Sequence, residues 1–255
     1  RDINRMKGKR LDEYLIAGSF AKDKNEAFIL VTEGIIFVNG QKAVSPAQNV
    51  RPDAKIEVRG GHGYVGRGAL KLEAALEKFN LDVSEKICAD IGAATGGFTE
   101  VLLKRGARRV YAIDTARGKL AFKLREDPRV VVMEGTDVRD IEKLPEAIDF
   151  VTMDVSLISL RNILSHIRMG HFLGLRGDAV ALFKPQYETR NPKILKHGIV
   201  KNDVERCQLL KEFISWASSN GWKIIDWTTS PIRGSKGNIE YLLYLNSKIK
   251  VQKSK

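Results

Sequence analysis

The sequence predicts an α/β protein with a Rossmann-like, mostly parallel sheet of seven strands, preceded by a small α+β unit. Three observations carry the prediction. A short apolar run, Ile87 to Ile91, ends in the turn Gly92-Ala93-Ala94-Thr95-Gly96-Gly97, and an amphipathic run follows from Phe98. Strand, tight turn and helix in that order open an α/β sheet. Downstream, β-like and helical patterns alternate as far as residue 245, which implies crossover connections and parallel strands. Upstream, a helix pair and an Asn-Gly hairpin signal stand apart from that alternation.

The first unit spans residues 1–59. Residues 10–16 begin a helix with Leu11, Tyr14 and Leu15 on one face, and a second helix over roughly 24–32 is apolar at Ala27, Phe28 and Val31. Residues 35–44 give two β-like runs about Asn39-Gly40, a hairpin signal, and 52–58 adds a strand. Gly60-Gly61-His62-Gly63 forms a flexible linker over 60–63. The larger unit covers 64–247, and the lysine-rich residues 248–255 form a basic, disordered tail.

The larger unit opens with a helix over 67–79, whose stripe Ala69, Leu72, Leu76 and Phe79 runs beside Lys71. A lysine there is held rather than left to wave in solvent. Strands are predicted at 87–91, 109–113, 130–133, 150–153, 179–183, 222–228 and 241–245, with helices near 119–125, 157–172 and 204–220. Ligands in such sheets bind beyond the carboxyl ends of the strands.

With 255 residues, 43% apolar and 29% charged, the chain has the composition of a globular protein. A net charge of +12 points to a polyanionic partner, nucleic acid or an anionic membrane. Eight basic residues between Lys104 and Arg125, against the single acid Asp114, form a candidate anchor for it. No apolar run is long enough to span a membrane and the start is charged, so a cytoplasmic location is expected. Cys88 and Cys207 are far apart and read as reduced thiols; His62, His166, His171 and His197 show no ligand spacing, so no metal is expected.

The glycine turn carries the first chemical signal. Its spacing is neither the G-x-G-x-x-G of dinucleotide folds nor a P-loop, which disfavours pyrophosphate and triphosphate. Asp90, at the strand end, repels phosphate but suits a cation such as the ammonium and sulfonium of S-adenosylmethionine (SAM). Asp114, ending the next apolar run, stands where a carboxylate accepts hydrogen bonds from ribose hydroxyls.

The second signal is that three strand ends close on charge. Asp154 and Lys184 follow apolar runs, and Glu240 opens the last one. If the last strand is antiparallel, its amino end shares the rim with the other strands' carboxyl ends, and Asp154, Lys184, Glu240 and Lys71 converge. Two amines and two acids in a half-buried cleft suit proton removal from a weakly acidic hydroxyl, because desolvation and a neighbouring cation lower an amine's pKa. Two structural ion pairs at the sheet rim are the alternative.

The first unit resembles the small RNA-binding domain named after ribosomal protein S-four, on the run Arg10-Leu11-Asp12-Glu13-Tyr14-Leu15, the helix pair, Val38-Asn39-Gly40 and Asp53-Ala54-Lys55-Ile56-Glu57-Val58. The resemblance implies that Lys9, Arg10 and Lys24 face RNA phosphates. Asp23-Lys24-Asn25 stands where that family has Ser-Arg, which shifts the RNA-facing charge.

Nearly the whole chain resembles the TlyA-type family, whose members carry the names of haemolysins and of ribosomal RNA 2′-O-methyltransferases, with a catalytic domain similar to FtsJ-like RNA methyltransferases. Five segments carry it: 64–72 (Tyr-Val-Gly-Arg-Gly-Ala-Leu-Lys-Leu), 90–99, 153–160, 184–188 (Lys-Pro-Gln-Tyr-Glu) and 230–240. It implies a tetrad on Lys71, Asp154, Lys184 and Glu240, with Lys184 nearest to a general base. It implies SAM held by Asp90, Gly92, Gly96, Gly97 and Phe98, its ribose by Asp114 and its adenine near Asp137, where family members often carry asparagine. Arg67, inside the first segment, joins the RNA-facing set. Ala94 replaces a serine common in the family, at the cost of at most one hydrogen bond.

The resemblance therefore implies a SAM-dependent 2′-O-methyltransferase acting on a cytidine of ribosomal RNA, with ribosomal subunits as partners. Two rivals stay open at this point: a membrane-lytic protein, and a non-catalytic ribosome-binding protein that keeps the methyltransferase fold.

Overall fold

The computed structural model describes residues 8–32, 34–58, 64–169 and 173–247. The linker over 60–63 and the tail over 248–255 lie outside these residues.

In the first unit β1 (Lys9–Arg10) leads into α1 (Leu11–Ala17) and α2 (Lys24–Thr32), followed by β2 (Ile36–Val38), β3 (Gln41–Lys42), β4 (Asn49–Val50) and β5 (Ile56–Val58). β2 pairs antiparallel with β3 and β5, and β1 with β4. Asn39 and Gly40 turn the hairpin at φ 51° and 78°, the left-handed pair that Asn-Gly tolerates. Asp23 caps α2, its Oδ1 accepting from Glu26 N (2.8 Å), while Glu26 Oε2 accepts from Lys22 N (2.7 Å), one residue outside the cap. Leu11, Leu15, Ala27, Val31 and Ile36 close a core of the unit's own. Phe28 does not join it, contrary to the periodicity. With Ile29 it packs on the core of the larger unit, and Lys119 Nζ lies 4.2 Å from the Phe28 ring centre.

The larger unit opens with α3 (Ala69–Lys78). It continues through β6 (Ile87–Ile91), α4 (Gly97–Lys104), β7 (Arg109–Asp114), α5 (Phe122–Arg125), β8 (Val130–Glu134), β9 (Ile148–Met153), α6 (Leu160–Met169) and β10 (Leu173–Phe183). Then come α7 (Pro185–Glu188), a small hairpin of β11 (Leu195–Lys196) and β12 (Ile199–Val200), α8 (Asp203–Ser219), β13 (Trp222–Thr229) and β14 (Tyr241–Ser247). Seven strands form one sheet in the order β13-β14-β10-β9-β6-β7-β8. All neighbours are parallel except β14, which is antiparallel to β10 and β13.

Each sheet face is buried, as apolar strands of a mostly parallel sheet require. Ile91, Ile113, Met153, Phe183, Phe213 and Trp222 lie in the core shared with α6 and α8, and Leu72, Leu76, Phe98, Leu102, Phe150 and Leu242 in that shared with α3 and α4.

Four features differ from expectation. α5 covers only the last turn of the predicted helix, because the Glu134 carboxylate takes the N–H groups of Gly118, Lys119 and Leu120 (2.8, 2.8 and 2.9 Å) and holds that stretch as a loop. α6 is shorter than predicted and β10 longer, with a register shift between Leu173 and Asp178. The β11–β12 hairpin was not foreseen, since two-residue strands leave no periodicity to read.

Candidate active site

The turn after β6 is shaped by close approach. Gly92 sits at φ 84°, and a Cβ there would stand 2.6 Å from the carbonyl oxygen of Asp154, so only glycine lets the ends of β6 and β9 meet. Gly97 leaves 3.0 Å between its would-be Cβ and Ala69 N, which seats α3 against the turn. Ala94 takes a left-handed conformation (φ 49°) and donates its N–H to Asp114 Oδ2 at 2.8 Å. Asp114 Oδ1 accepts from Ala116 N (2.7 Å), so one carboxylate braces both sides of the cleft.

Two adjoining cavities open at this rim, sharing Gly92, Ala94 and Asp154. The larger, about 490 Å³, has Asp114 and Asp137 beside Ile113, Val138, Leu157 and Ile158. A carboxylate at the end of β7 and a wall of aliphatic side chains fit a nucleoside. The smaller, about 190 Å³, is lined by Arg67, Lys71, Gly97, Phe98, Asp154 and the 232–234 loop.

Of the residues expected to bind the cofactor or do the chemistry, Asp90, Gly96, Lys184 and Glu240 line neither cavity. Asp90, expected to meet the cofactor's cation, lies beneath the turn at 0% exposure, where Thr99 Oγ1 and Thr152 Oγ1 donate to its two oxygens at 2.7 and 2.8 Å. Burial pushes its pKa up to about 6. Its place is structural: it ties β6 to α4 and β9. Gly96 (φ 96°) caps α4, and a Cβ there would overlap Leu124. Asp137 does line the larger cavity, but its carboxylate accepts from Arg139 N (2.9 Å) and pairs with the guanidinium, which holds its pKa below the usual range. Arg139, which also lines the cavity, had no signal in the sequence.

Lys71, Asp154, Lys184 and Glu240 come together. Lys184 Nζ is 2.6 Å from Asp154 Oδ1, Lys71 Nζ is 3.9 Å from Asp154 Oδ2, and Lys71 Nζ donates to Glu240 Oε2 at 2.8 Å. The meeting depends on β14: pairing Tyr241 with Phe183 sets Glu240 beside the end of β10. The lysine side chains are 10% and 9% exposed and that of Glu240 2%. Burial alone would raise the pKa of Asp154, but Lys184 and, more weakly, Lys71 outweigh it and hold the group ionised below its ordinary value. Two further residues complete the site. Ser156 Oγ accepts from Lys184 Nζ (2.8 Å), and Gly234 lies where any Cβ would overlap the Glu240 carboxylate.

Residues 64–247 match the model of the FtsJ-like methyltransferase family. The chain belongs to that family. SAM is its methyl donor, and the cavity at Asp114 fits the nucleoside half of that molecule. Over 240 residues the chain is 40% identical to Hemolysin A of Brachyspira hyodysenteriae, covering 92% of this chain and 98% of that protein. Over 244 residues it is 38% identical to the 16S/23S rRNA (cytidine-2′-O)-methyltransferase TlyA of Mycobacterium tuberculosis, covering 93% and 90%. A solved structure from Streptococcus thermophilus, described as a candidate hemolysin, superposes with a TM-score of 0.74 at 35% identity over 95% of this chain and 90% of that one.

The basic residues expected to face RNA fall in two places on this FtsJ-like protein. Lys9, Arg10 and Lys24 are exposed on the first unit. Arg10 spends part of its charge on Asp12, with Nε and Nη2 at 3.0 and 2.6 Å from the carboxylate, and this pairing holds Asp12 below its ordinary pKa. Lys24 adds to the same local field. Arg67 lies at the smaller cavity. The basic stretch 104–125 is not a free anchor. Lys104 and Lys123 pair with Glu100, Arg105 with Glu73 and Glu77, Arg109 with Glu146, and Arg125 with Glu134.

Proposed function

We propose that this methyltransferase modifies the ribose 2′-hydroxyl of a cytidine in ribosomal RNA, and that Lys71, Asp154, Lys184 and Glu240 do the chemistry. The observation that carries the reading is the bridge through Asp154: this carboxylate, at the junction of a nucleoside-sized cavity and a second, smaller one, pairs with two largely buried lysines. The activity for which the mycobacterial relative is named supports the substrate.

Bound in the larger cavity, SAM supplies a methyl group on a positively charged sulfur, open to displacement by an oxygen nucleophile. Lys184 Nζ, after giving up its own proton to solvent, takes the hydroxyl proton. Asp154 Oδ1 and Ser156 Oγ fix that amine, leaving its remaining valence toward the cleft. Lys71, held by Glu240, puts a second positive charge beside the oxygen as negative charge grows on it. Gly92 and Gly97 bring backbone close enough to align the reacting groups, and alignment supplies much of the acceleration.

Residues 1–59 serve, on this reading, as an S-four type RNA-binding domain, joined by the linker at 60–63 to a catalytic domain over 64–247. Ribosomal subunits are the partners and the cytoplasm the location. The test is transfer of tritium from labelled SAM to naked rRNA, free subunits and assembled ribosomes, followed by mapping of the labelled nucleotide. Label on a base, or on no RNA at all, refutes the assignment.

The name of the Brachyspira relative favours a second reading, membrane lysis. No helix among the described residues is long and apolar enough to cross a membrane. Lysis of erythrocytes by purified protein, undiminished in a Lys184→Ala variant, supports it.

A further inference from the structure

The β11–β12 hairpin and the loop over 230–239 flank Glu240, and neither segment from 189 to 202 nor from 230 to 239 contains a carboxylate. The two are tied into one rim. Asn238, 3% exposed, donates Nδ2 to the carbonyl oxygen of Gly198 at 3.1 Å, and Gly234 N donates to Asn238 O at 2.9 Å. Val200 (1% exposed) anchors the hairpin in the core, while His197 and Gly198 turn its tip at φ 55° and 80°. Lys236 takes a left-handed conformation (φ 57°) and reaches toward Gly198, where a Cβ would lie 3.3 Å from its Nζ.

Lys193, Lys196, Lys201, Arg233 and Lys236 are all exposed on this rim, and Arg233 also lines the smaller cavity. Unlike the basic stretch at 104–125, none of these five has a carboxylate within ion-pair distance among the described residues. Five unneutralised cations on two cross-tied loops beside a catalytic cleft form a surface for a polyanion. The cleft fixes which polyanion. The amines of Lys71 and Lys184 are about nine-tenths covered, so a ribose must leave a helix to reach them.

We infer that the β11–β12 hairpin and the 230–239 loop form a clamp for single-stranded or splayed-out RNA, gripping the phosphates next to the target nucleotide. The inference rests on the RNA 2′-hydroxyl reading given above. The clamp is separate from the Lys9, Arg10 and Lys24 face, so the two surfaces hold one RNA at two points.

The test uses the full chain with Lys193→Glu, Lys196→Glu and Lys236→Glu combined, against an equal reversal at the exposed residues Lys78, Lys211 and Lys223. Binding of a fluorescent single-stranded RNA is followed by anisotropy across a KCl series, and methyl transfer to rRNA is followed against RNA concentration. The clamp variant is expected to bind RNA at least tenfold more weakly. Its plot of log affinity against log salt is expected to be shallower by about 2, from three lost contacts at ~0.7 each. KM for RNA rises, kcat at saturation and SAM affinity stay, and the control reversal changes RNA binding less than threefold.

Equal RNA binding and salt slope in the clamp variant and the control overturn the clamp, whether or not methyl transfer is seen. Weakened binding by the clamp variant, with no methyl transfer by the wild type, leaves the clamp and removes the enzyme reading. Sedimentation with phosphatidylserine vesicles is the last arm: loss of vesicle binding with RNA binding intact assigns the rim to membrane and overturns the clamp.

Discussion

Gly234 packs so closely on Glu240 that no side chain fits between them: a Cβ would overlap the glutamate carboxylate. That carboxylate is also the partner of Lys71. Any residue but glycine at 234 must push Glu240 off the amine it holds. Gly234→Ala is expected to lower kcat about a hundredfold, the usual cost of an ångström-scale misplacement, with SAM affinity unchanged by calorimetry. Unaltered kcat would show that the Lys71–Glu240 contact is dispensable.

Lys184→Ala is expected to lower transfer by about 10² to 10⁴, the range for loss of a positioned proton acceptor, while SAM binds nearly as before. Single-turnover methylation with a parallel SAM titration checks both halves. A large loss of SAM affinity refutes the division of roles between the tetrad and the larger cavity.

Asp90 gives the fold a defined pH dependence. Its pKa is raised by burial from 3.8 to about 6, so between those values the folded protein binds more protons than the unfolded chain, and stability falls as pH rises. The contribution is complete below about pH 4 and lost above about 6, amounting to about 3 kcal/mol. Asp90→Asn keeps two hydrogen-bonding atoms for Thr99 and Thr152 and removes the charge. Urea unfolding from pH 4 to 7 is expected to show the variant gaining on the wild type by roughly that amount.

Glu134 runs the opposite way. Burial would raise its pKa, but Arg125 and the N–H groups of Leu120, Gly118 and Lys119 outweigh it and bring it down to about 2. Its stabilisation is present above about pH 4.5 and lost as pH falls toward 2, again about 3 kcal/mol at most. Glu134→Gln is expected to lose most of this at pH 7. It is also expected to weaken SAM binding, because Ala121 N, at the end of the stretch Glu134 holds, donates to Thr95 O in the glycine turn at 3.1 Å. Wild-type SAM affinity in the variant removes that link.

Ile29 joins the two units, being 6% exposed in the core of the larger one. Ile29→Asp puts an unpaired charge there, and the units are expected to separate, losing about 1.5–3 kcal/mol of burial. Small-angle scattering should show a larger radius of gyration. Ile29→Val, costing about 1 kcal/mol, should not change it.

What could be read from the chain alone follows from how far each signal reaches along it. The strands and the glycine turn are local patterns, and apart from the longer β10 they stood where the periodicity put them. The tetrad required one inference beyond pattern, that the last strand is antiparallel, and β14 provides it. Asp90 looked like a cofactor ligand because a strand-end acid is visible in sequence, whereas the threonines that close over it come from α4 and β9. The stretch 104–125 looked strongly basic within its own window, yet Glu73, Glu77, Glu134 and Glu146 arrive from elsewhere to neutralise much of it. Ser156 acts through Lys184, 28 residues away, and Gly234 through a close contact with Glu240 that depends on how the loop between them folds, which periodicity does not report.

The placement of β14 also divides the cleft between two parts of the chain. Last among the described strands, it lies second from the edge of the sheet, wedged between two strands that precede it. The cavity at Asp114 is lined wholly by residues that precede it, between 91 and 163. Glu240, by contrast, is set against Lys71 by the strand that follows all of these, so the two halves of the cleft come from separate parts of the chain.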